Sequence, residues 1–110
     1  MKTELTTEQS QHLIELGVPP PNSEICIHRP FPHHKLVDTY KVFKLEDLLE
    51  ILPKEIAGEE YVEYLRIGYT TDRKWQCYYT CFEDYFYGTE LINSLYELCV
   101  WCLTNNYIKL

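Results

Sequence analysis

Hydrophobic residues between Gly88 and Asn106 recur with the spacing of an α-helix. Four of them follow one another at steps of four, three and four, which places them on one side of a helix: Leu91, Leu95, Leu98 and Cys102. We therefore predict a long helix over residues 88–106, with a broad apolar face and a narrow polar stripe of Glu90, Asn93, Ser94, Glu97 and Thr104. Because so apolar a helix would aggregate in water if bare, the upstream chain must supply a surface that covers it.

The stretch over residues 61–83 has the alternating pattern of a β-hairpin. Its two arms, Tyr61–Tyr69 and Trp75–Glu83, are rich in aromatic residues, and Thr70–Lys74 between them has the composition of a loop. A four-residue loop would mix apolar with polar positions, whereas a five-residue loop collects the apolar positions on one face. The pairs on that face are Tyr69 with Trp75, Ile67 with Cys77, Leu65 with Tyr79 and Glu63 with Cys81. We expect this face to pack against the long helix.

The opposite face of the predicted hairpin carries aromatic side chains and one cation. The pairs on it are Val62 with Phe82, Tyr64 with Thr80 and Arg66 with Tyr78. Tyr, Trp and Arg are enriched at binding hot spots, and Trp101 lies at the edge of the polar stripe of the long helix. The candidate partner-binding residues are therefore Tyr64, Arg66, Tyr78, Phe82 and Trp101. In the alternative interpretation, a short helix covers this face and turns it into a second core layer.

Shorter elements are predicted on both sides of the hairpin. Two short helices span residues 6–16 and 45–52, the first with a capping box at Thr6 and Gln9 and a natural stop at Gly17. The remaining predictions are strands at Glu24–His28 and Leu36–Phe43, a loop at Arg29–Lys35, a helical turn at Lys54–Ala57 and a last strand at Tyr107–Leu110. The whole pattern predicts one α+β domain over residues 1–110, in which a small antiparallel sheet packs against the long helix.

Length and composition are those of a globular domain. Of the 110 residues, 45% are hydrophobic and 25% are charged, a balance that does not favour disorder. The formal net charge is −7 and the ten Lys and Arg residues are scattered, so the basic surface that nucleic acid or an anionic membrane requires is not predicted. The N-terminus is polar and no apolar run reaches the length of a membrane span. We expect a cytoplasmic protein that binds neither nucleic acid nor membrane.

Candidate chemistry is confined to cysteines and histidines. Cys99 and Cys102 have the spacing of a redox dithiol, but they lie in the last turns of their helix, where the dipole disfavours a thiolate. With Cys77 or Cys81 they would offer a zinc site, but in a reducing compartment buried packing of free thiols is the favoured interpretation of all five cysteines. A second candidate, for a metal or a base, is the group His28, His33, His34 and Asp38. Neither site is favoured, so no catalytic residue, metal or cofactor is predicted.

Two segments together resemble a group of small bacterial proteins. The segments are FKLEDLLEILPKEI (Phe43–Ile56) and ELINSLYELCVWCLTNNYIKL (Glu90–Leu110), about a third of the chain. They are similar to small proteins of Bacteroides-type bacteria that are thought to travel with phage and other mobile elements and have no known activity. The similarity rests on packing residues. It implies a mobile-element context and transfers no functional residue.

Three functions are compatible with these observations. The leading expectation is a small non-enzymatic accessory or binding protein, which uses the aromatic hairpin face to contact a partner protein or a second copy of itself. An alternative is a protein that sequesters a small molecule in a pocket lined by the same aromatic residues. A further alternative is an acidic mimic of nucleic acid, although the seventeen acidic residues are dispersed among bases. No nucleophile elbow or Gly-rich phosphate loop is present in the sequence, so an enzyme is not expected.

Overall fold

The structure, a computed structural model, describes residues 1–30, 35–58, 60–80 and 82–108, with the side chains of 26–30 and 35–39 outside this description. Within these ranges the elements follow in the order α1 (Thr7–Glu15), β1 (Glu24–Pro30), β2 (Lys35–Lys41), α2 (Leu45–Ile51), β3 (Glu55–Ala57), β4 (Val62–Tyr69), β5 (Trp75–Tyr79), β6 (Phe86–Gly88) and α3 (Leu91–Thr104). The α+β class is confirmed. No helix in the described ranges is both long and apolar enough to cross a membrane.

The main sheet is antiparallel and has the strand order β3-β4-β5-β6. Strands β4 and β5 pair with Tyr69 opposite Trp75, Ile67 opposite Cys77 and Leu65 opposite Tyr79. This is the register that the five-residue loop predicts, because the loop length decides which positions meet and therefore which face each side chain occupies. The predicted pairing of Glu63 with Cys81 involves a residue outside the described ranges.

Helix α3 packs between the main sheet and helix α2, as its apolar face requires. It contacts β5 and β6 on one side and α2 on the other, and its fully buried side chains include Leu95, Leu98, Cys99 and Cys102. The polar stripe is narrower than predicted, since Ser94 is buried against the sheet. The Ser94 hydroxyl donates to the Trp75 carbonyl at 3.3 Å, and this bond removes the cost of burying an unpaired hydroxyl.

The N-terminal segment ties α1 to the chain entering α2. The capping box is confirmed: the Gln9 N–H donates to the Thr6 hydroxyl, and the Thr6 N–H donates to the Gln9 side chain. Gly17 ends the helix with φ at 107°, a left-handed value that suits glycine. The N–H of Leu5 donates to the carbonyl of Phe43 at 2.9 Å, and the buried hydroxyl of Ser10 accepts from the Phe43 N–H. These bonds fix α1 against the rest of the core.

Strands β1 and β2 form a separate two-stranded sheet. They pair antiparallel from Glu24 opposite Lys41 to Pro30 opposite Lys35, and β2 contacts α1. The molecule is elongated, with principal extents of 63 × 34 × 18 Å. The ends of the predicted loop at Arg29–Lys35 are strand residues, because β1 extends to Pro30 and β2 begins at Lys35; residues 31–34 lie outside the described ranges.

Three further predictions of local structure differ from the observed elements. Lys54–Ala57 does not add a helical turn; residues 55–57 form strand β3, because they pair with β4. Strand β5 stops at Tyr79, short of the predicted Glu83, and Phe86–Gly88 instead forms strand β6 beside it. No strand begins at Tyr107 within the described residues, and Lys109 and Leu110 lie outside them.

Candidate functional site

The outer face of the main sheet carries a group of tyrosines with one arginine beside them. We define the tyrosine face as Tyr64 and Arg66 of β4, Tyr78 of β5, and Tyr85 and Tyr87 around β6. Three of the rings are well exposed: Tyr64 at 48%, Tyr85 at 46% and Tyr87 at 53% of their accessible surface. Large exposed aromatic groups on one face of a sheet are typical of an interaction surface.

The rings of the tyrosine face support one another. Tyr78 and Tyr85 meet edge to face with ring centroids 4.9 Å apart, and Tyr85 lies 6.5 Å from Tyr87. The Tyr87 hydroxyl accepts a hydrogen bond from the Gln76 side chain at 3.4 Å, and Arg66 lies directly opposite Tyr78 in the strand ladder. The ladder holds these side chains in place, so the surface is arranged before any partner arrives.

Two members of the tyrosine face, Tyr85 and Tyr87, were missed by the sequence prediction. The signal that reveals them is the alternation Tyr85-Phe86-Tyr87, which has the period of a strand. In the structure Phe86 lies opposite Cys77 and packs against the core, while Tyr87 lies opposite Gln76 on the outer side. The run is short and ends at Gly88, so its strand character depends on pairing with β5.

Phe82 does not lie on the outer face, and the prediction that pairs it with Val62 there is wrong. The chain turns after β5, where the Phe82 N–H donates to the Tyr79 carbonyl at 3.3 Å. Phe82 then packs against the core, with its ring 5.5 Å from Trp101 and 5.7 Å from Tyr107. Turning inward buries an aromatic ring that would otherwise stay in water.

Trp101 on α3 is also a predicted partner-binding residue. Aromatic rings of its own chain cover it. Its ring lies 6.4 Å from Tyr79, 6.0 Å from Phe86 and 5.1 Å from Tyr107. Trp101 is partly buried. We call Phe82, Phe86, Trp101 and Tyr107 the inner aromatic cluster; it closes one end of the core and is separate from the tyrosine face.

The described cysteines are packing residues of the core. Cys77, Cys99 and Cys102 are free and buried. Burial raises the pKa of the Cys77 thiol to about 12 and that of Cys102 to about 11, and burial also raises the pKa of Cys99 well above its ordinary value. At neutral pH these groups are thiols, whereas a redox dithiol requires a thiolate. Cys81 lies outside the described residues, as does the side chain of Cys26.

No metal centre is assembled in the part of the chain that the structure describes. No three His, Cys, Asp or Glu side chains there lie close enough together to hold an ion. His33 and His34 lie outside this part, as do the side chains of His28 and Asp38. The described His12 faces α3 instead, with its Nδ1 2.6 Å from the Tyr96 hydroxyl.

Two open grooves lie away from the tyrosine face. One, of about 740 Å³, runs between α1 and the end of β2, where His12, Tyr40 and Lys41 line it. The other, of about 520 Å³, lies beside Met1, Tyr69 and Trp75. No residue of the tyrosine face lines either groove, so the face is an open surface and does not form a wall of these grooves.

Comparisons with known proteins provide no further assignment. No protein-family model, no curated protein and no solved structure matches this chain.

Proposed function

We propose that this chain is a small non-enzymatic binding protein that recognises a partner protein through its tyrosine face. The observation that carries the proposal is the set of three exposed rings, Tyr64, Tyr85 and Tyr87, held beside Arg66 on a paired sheet. Tyrosine offers a large contact area and loses little conformational entropy on binding, and its hydroxyl adds hydrogen bonds. These properties suit a protein interface.

A partner different from this chain is favoured over a second copy. The chain has a formal net charge of −7, so two copies repel one another at long range. The absence of an enzymatic role belongs to the same proposal, and the protonated buried thiols support it. A cytoplasmic location and a phage or mobile-element context are also part of it; composition supports the first and the sequence resemblance supports the second.

The proposal is tested by photo-cross-linking from single positions. A photoreactive phenylalanine analogue placed at Tyr87 is expected to yield a discrete adduct with the partner, because the ring points away from the core. The matched control is the same substitution at Leu49, which is also exposed but lies on α2, on the far side of α3 from the main sheet. Equal adducts from both positions, or none from Tyr87, would contradict the proposal.

A triple variant then separates binding from folding. Tyr64→Ser, Tyr85→Ser and Tyr87→Ser together are expected to abolish the adduct at a photoreactive residue placed at Tyr78, since truncation of hot-spot rings removes most of the binding energy. The free energy of unfolding in urea should change by about 1 kcal/mol or less per substitution, as is usual for exposed side chains. If the triple variant unfolds, the face belongs to the core and the binding proposal fails. If the wild-type chain sediments as a dimer and the triple variant sediments as a monomer, the partner is a second copy of this chain.

A further inference from the structure

Strand β4 is covered on only part of its outer edge. Strand β3 pairs with residues 62–64, and the Leu65 N–H donates to the Lys54 carbonyl at 3.0 Å. Beyond Leu65, no strand of the described residues pairs with β4 on this side. We call residues 66–69 of β4 the open edge.

The backbone groups of the open edge are directed outward. The Thr80 N–H donates to the Tyr64 carbonyl, and the Thr70 N–H donates to the Lys74 carbonyl, so even-numbered residues of β4 bond to β5. Successive residues of a strand direct their N–H and C=O groups to opposite sides. The N–H and C=O groups of Ile67 and Tyr69 therefore point away from β5. A Cβ atom at Gly68 would meet nothing within 4 Å, so another chain can approach closely.

Apolar side chains flank the same edge. Ile67 is 41% exposed and Tyr69 is 59% exposed, although both lie on the face whose other members pack against α3. The Tyr69 ring contacts Trp75 edge to face at 5.1 Å, and both rings line the groove of about 520 Å³. An added strand would thus find hydrogen-bonding groups at its backbone and apolar contacts for alternate side chains, which is the arrangement used in recognition by strand addition.

The charge around the open edge is opposite in sign to that of the whole molecule. One exposed base, Arg66, belongs to the edge, and three more lie in the adjoining segments: Lys54 before β3, and Arg73 and Lys74 in the hairpin loop. The acids in the same segments are Glu55 and Asp72, and Glu90 lines the groove beside Tyr69 and Trp75, so the bases outnumber the acids by four to three. A second copy paired edge to edge would bring these bases toward their own counterparts, whereas an acidic segment would meet opposite charge.

We propose that the open edge of β4 binds an extended acidic segment of another protein, which adds to the main sheet as a fifth strand. Its backbone bonds to Ile67 and Tyr69, its inward apolar side chains lie on the rings of Tyr69 and Trp75, and its carboxylates lie on the same face as Arg66. This site shares Arg66 with the tyrosine face but none of its exposed rings, Tyr64, Tyr85 and Tyr87.

The probe for this site is the alternating peptide acetyl-Glu-Val-Glu-Val-Glu-Val-Glu-amide, with Lys in place of every Glu in the control peptide. The acidic peptide is expected to bind saturably in calorimetry and to slow amide hydrogen exchange at Ile67 and Tyr69. The basic peptide should bind about tenfold more weakly or not at all, a difference that corresponds to one charged contact. Binding of both peptides alike, or of neither, would overturn the proposal.

Two pairs of variants test the edge itself. Ile67→Pro removes an outward N–H and leaves the ladder with β5 intact, since proline is tolerated where the N–H faces solvent; it should weaken peptide binding by about tenfold or more, whereas Ile67→Val should not. Arg66→Glu with Arg73→Glu should abolish binding, whereas the equal charge change Lys41→Glu with Lys44→Glu, away from the groove, should not. Wild-type affinity in a folded Ile67→Pro chain contradicts the inference.

Two controls keep the outcome decisive. If Ile67→Pro does not fold, the wild-type chain is titrated with the acidic peptide methylated at alternate backbone nitrogens; lost binding supports strand addition and retained binding overturns it. The triple serine variant of the tyrosine face should bind the peptide as the wild type does, which separates a failure of this site from a failure of the proposed function. If the wild-type chain is a dimer and Ile67→Pro is a monomer, a second copy occupies the edge, which contradicts the inference.

Discussion

At the scale of single residues, the buried Tyr79 hydroxyl and the buried thiols make the stability of the core sensitive to alkaline pH. The Tyr79 hydroxyl donates to the Pro53 carbonyl at 2.6 Å, and burial together with the neighbouring Cys102 raises the pKa of Tyr79 far above its ordinary value. Burial is also the largest cause of the raised pKa values of Cys77 and Cys99. Each of these groups must stay protonated for the core to stay packed.

The first prediction concerns stability above neutral pH. An unfolded thiol titrates near pH ~8.5, whereas the folded pKa is about 12 for Cys77 and about 11 for Cys102. Between these values the unfolded chain has released protons that the folded chain retains, so the free energy of unfolding falls as pH rises. The stabilisation is complete below pH ~8.5. As pH rises from there to the folded pKa, the free energy of unfolding falls by about 1.4 kcal/mol per pH unit for each thiol.

Urea titrations at several pH values from neutral to alkaline measure this slope. In the Cys77→Ala variant the slope should decrease by the contribution of one thiol. A free energy of unfolding that stays constant from pH 8 to pH 10 would show that the thiols already reach solvent.

At the scale of secondary-structure elements, α3 is the helix on which the main sheet is assembled. It contacts β5 and β6 of the main sheet and also α2, and seven of its side chains are buried. The largest buried side chains of the molecule are concentrated on α3 and on the strands and helix it contacts. Truncation of α3 at a buried position therefore affects several elements together.

The second prediction compares two positions on α3 that are two residues apart. Leu95 is fully buried and Glu97 is exposed. Leu95→Ala is expected to lower the free energy of unfolding by ~2 to 5 kcal/mol, because a cavity forms in the core. Glu97→Ala should change it by less than ~0.5 kcal/mol. Chemical denaturation of both variants decides the matter, and equal small effects would mean that the buried face of α3 lies elsewhere.

At the scale of the whole molecule, the β1–β2 sheet makes the shape elongated. A compact chain of this length has a radius of gyration of ~13 Å, whereas the observed value is 16.4 Å. The difference follows from topology: β1 and β2 pair with one another, and neither joins the main sheet. A two-stranded sheet with so little support from the core is expected to open more readily than the main sheet.

The third prediction is that small-angle scattering gives a radius of gyration near the observed 16.4 Å. A variant in which an Asn-Gly turn replaces residues 27–38 should shrink toward the compact value of ~13 Å, since Asn-Gly suits a two-residue hairpin turn. Its main sheet should remain folded, as reported by the near-ultraviolet signal of Trp75 and Trp101. A compact wild-type chain in solution would refute the elongated arrangement.

The sequence by itself determined the features that depend on neighbouring residues. The helical period places Leu95 and Leu98 on one face of α3, and the side-chain bonds of Thr6 and Gln9 begin α1. The loop length determines the pairing of β4 with β5 and so places Tyr64, Arg66 and Tyr78 on the outer face. These features were predictable because period and loop length are local properties of the chain.

Only the tertiary structure decided which partners complete each element. Residues 55–57 are a strand because β4 offers an edge there, and residues 86–88 are a strand because β5 does. Phe82 and Trp101 leave the predicted surface because the end of the core offers them aromatic neighbours. The open edge of β4 exists because β3 is only three residues long. Each outcome depends on contacts between distant segments, where burial and strand pairing outweigh local propensity.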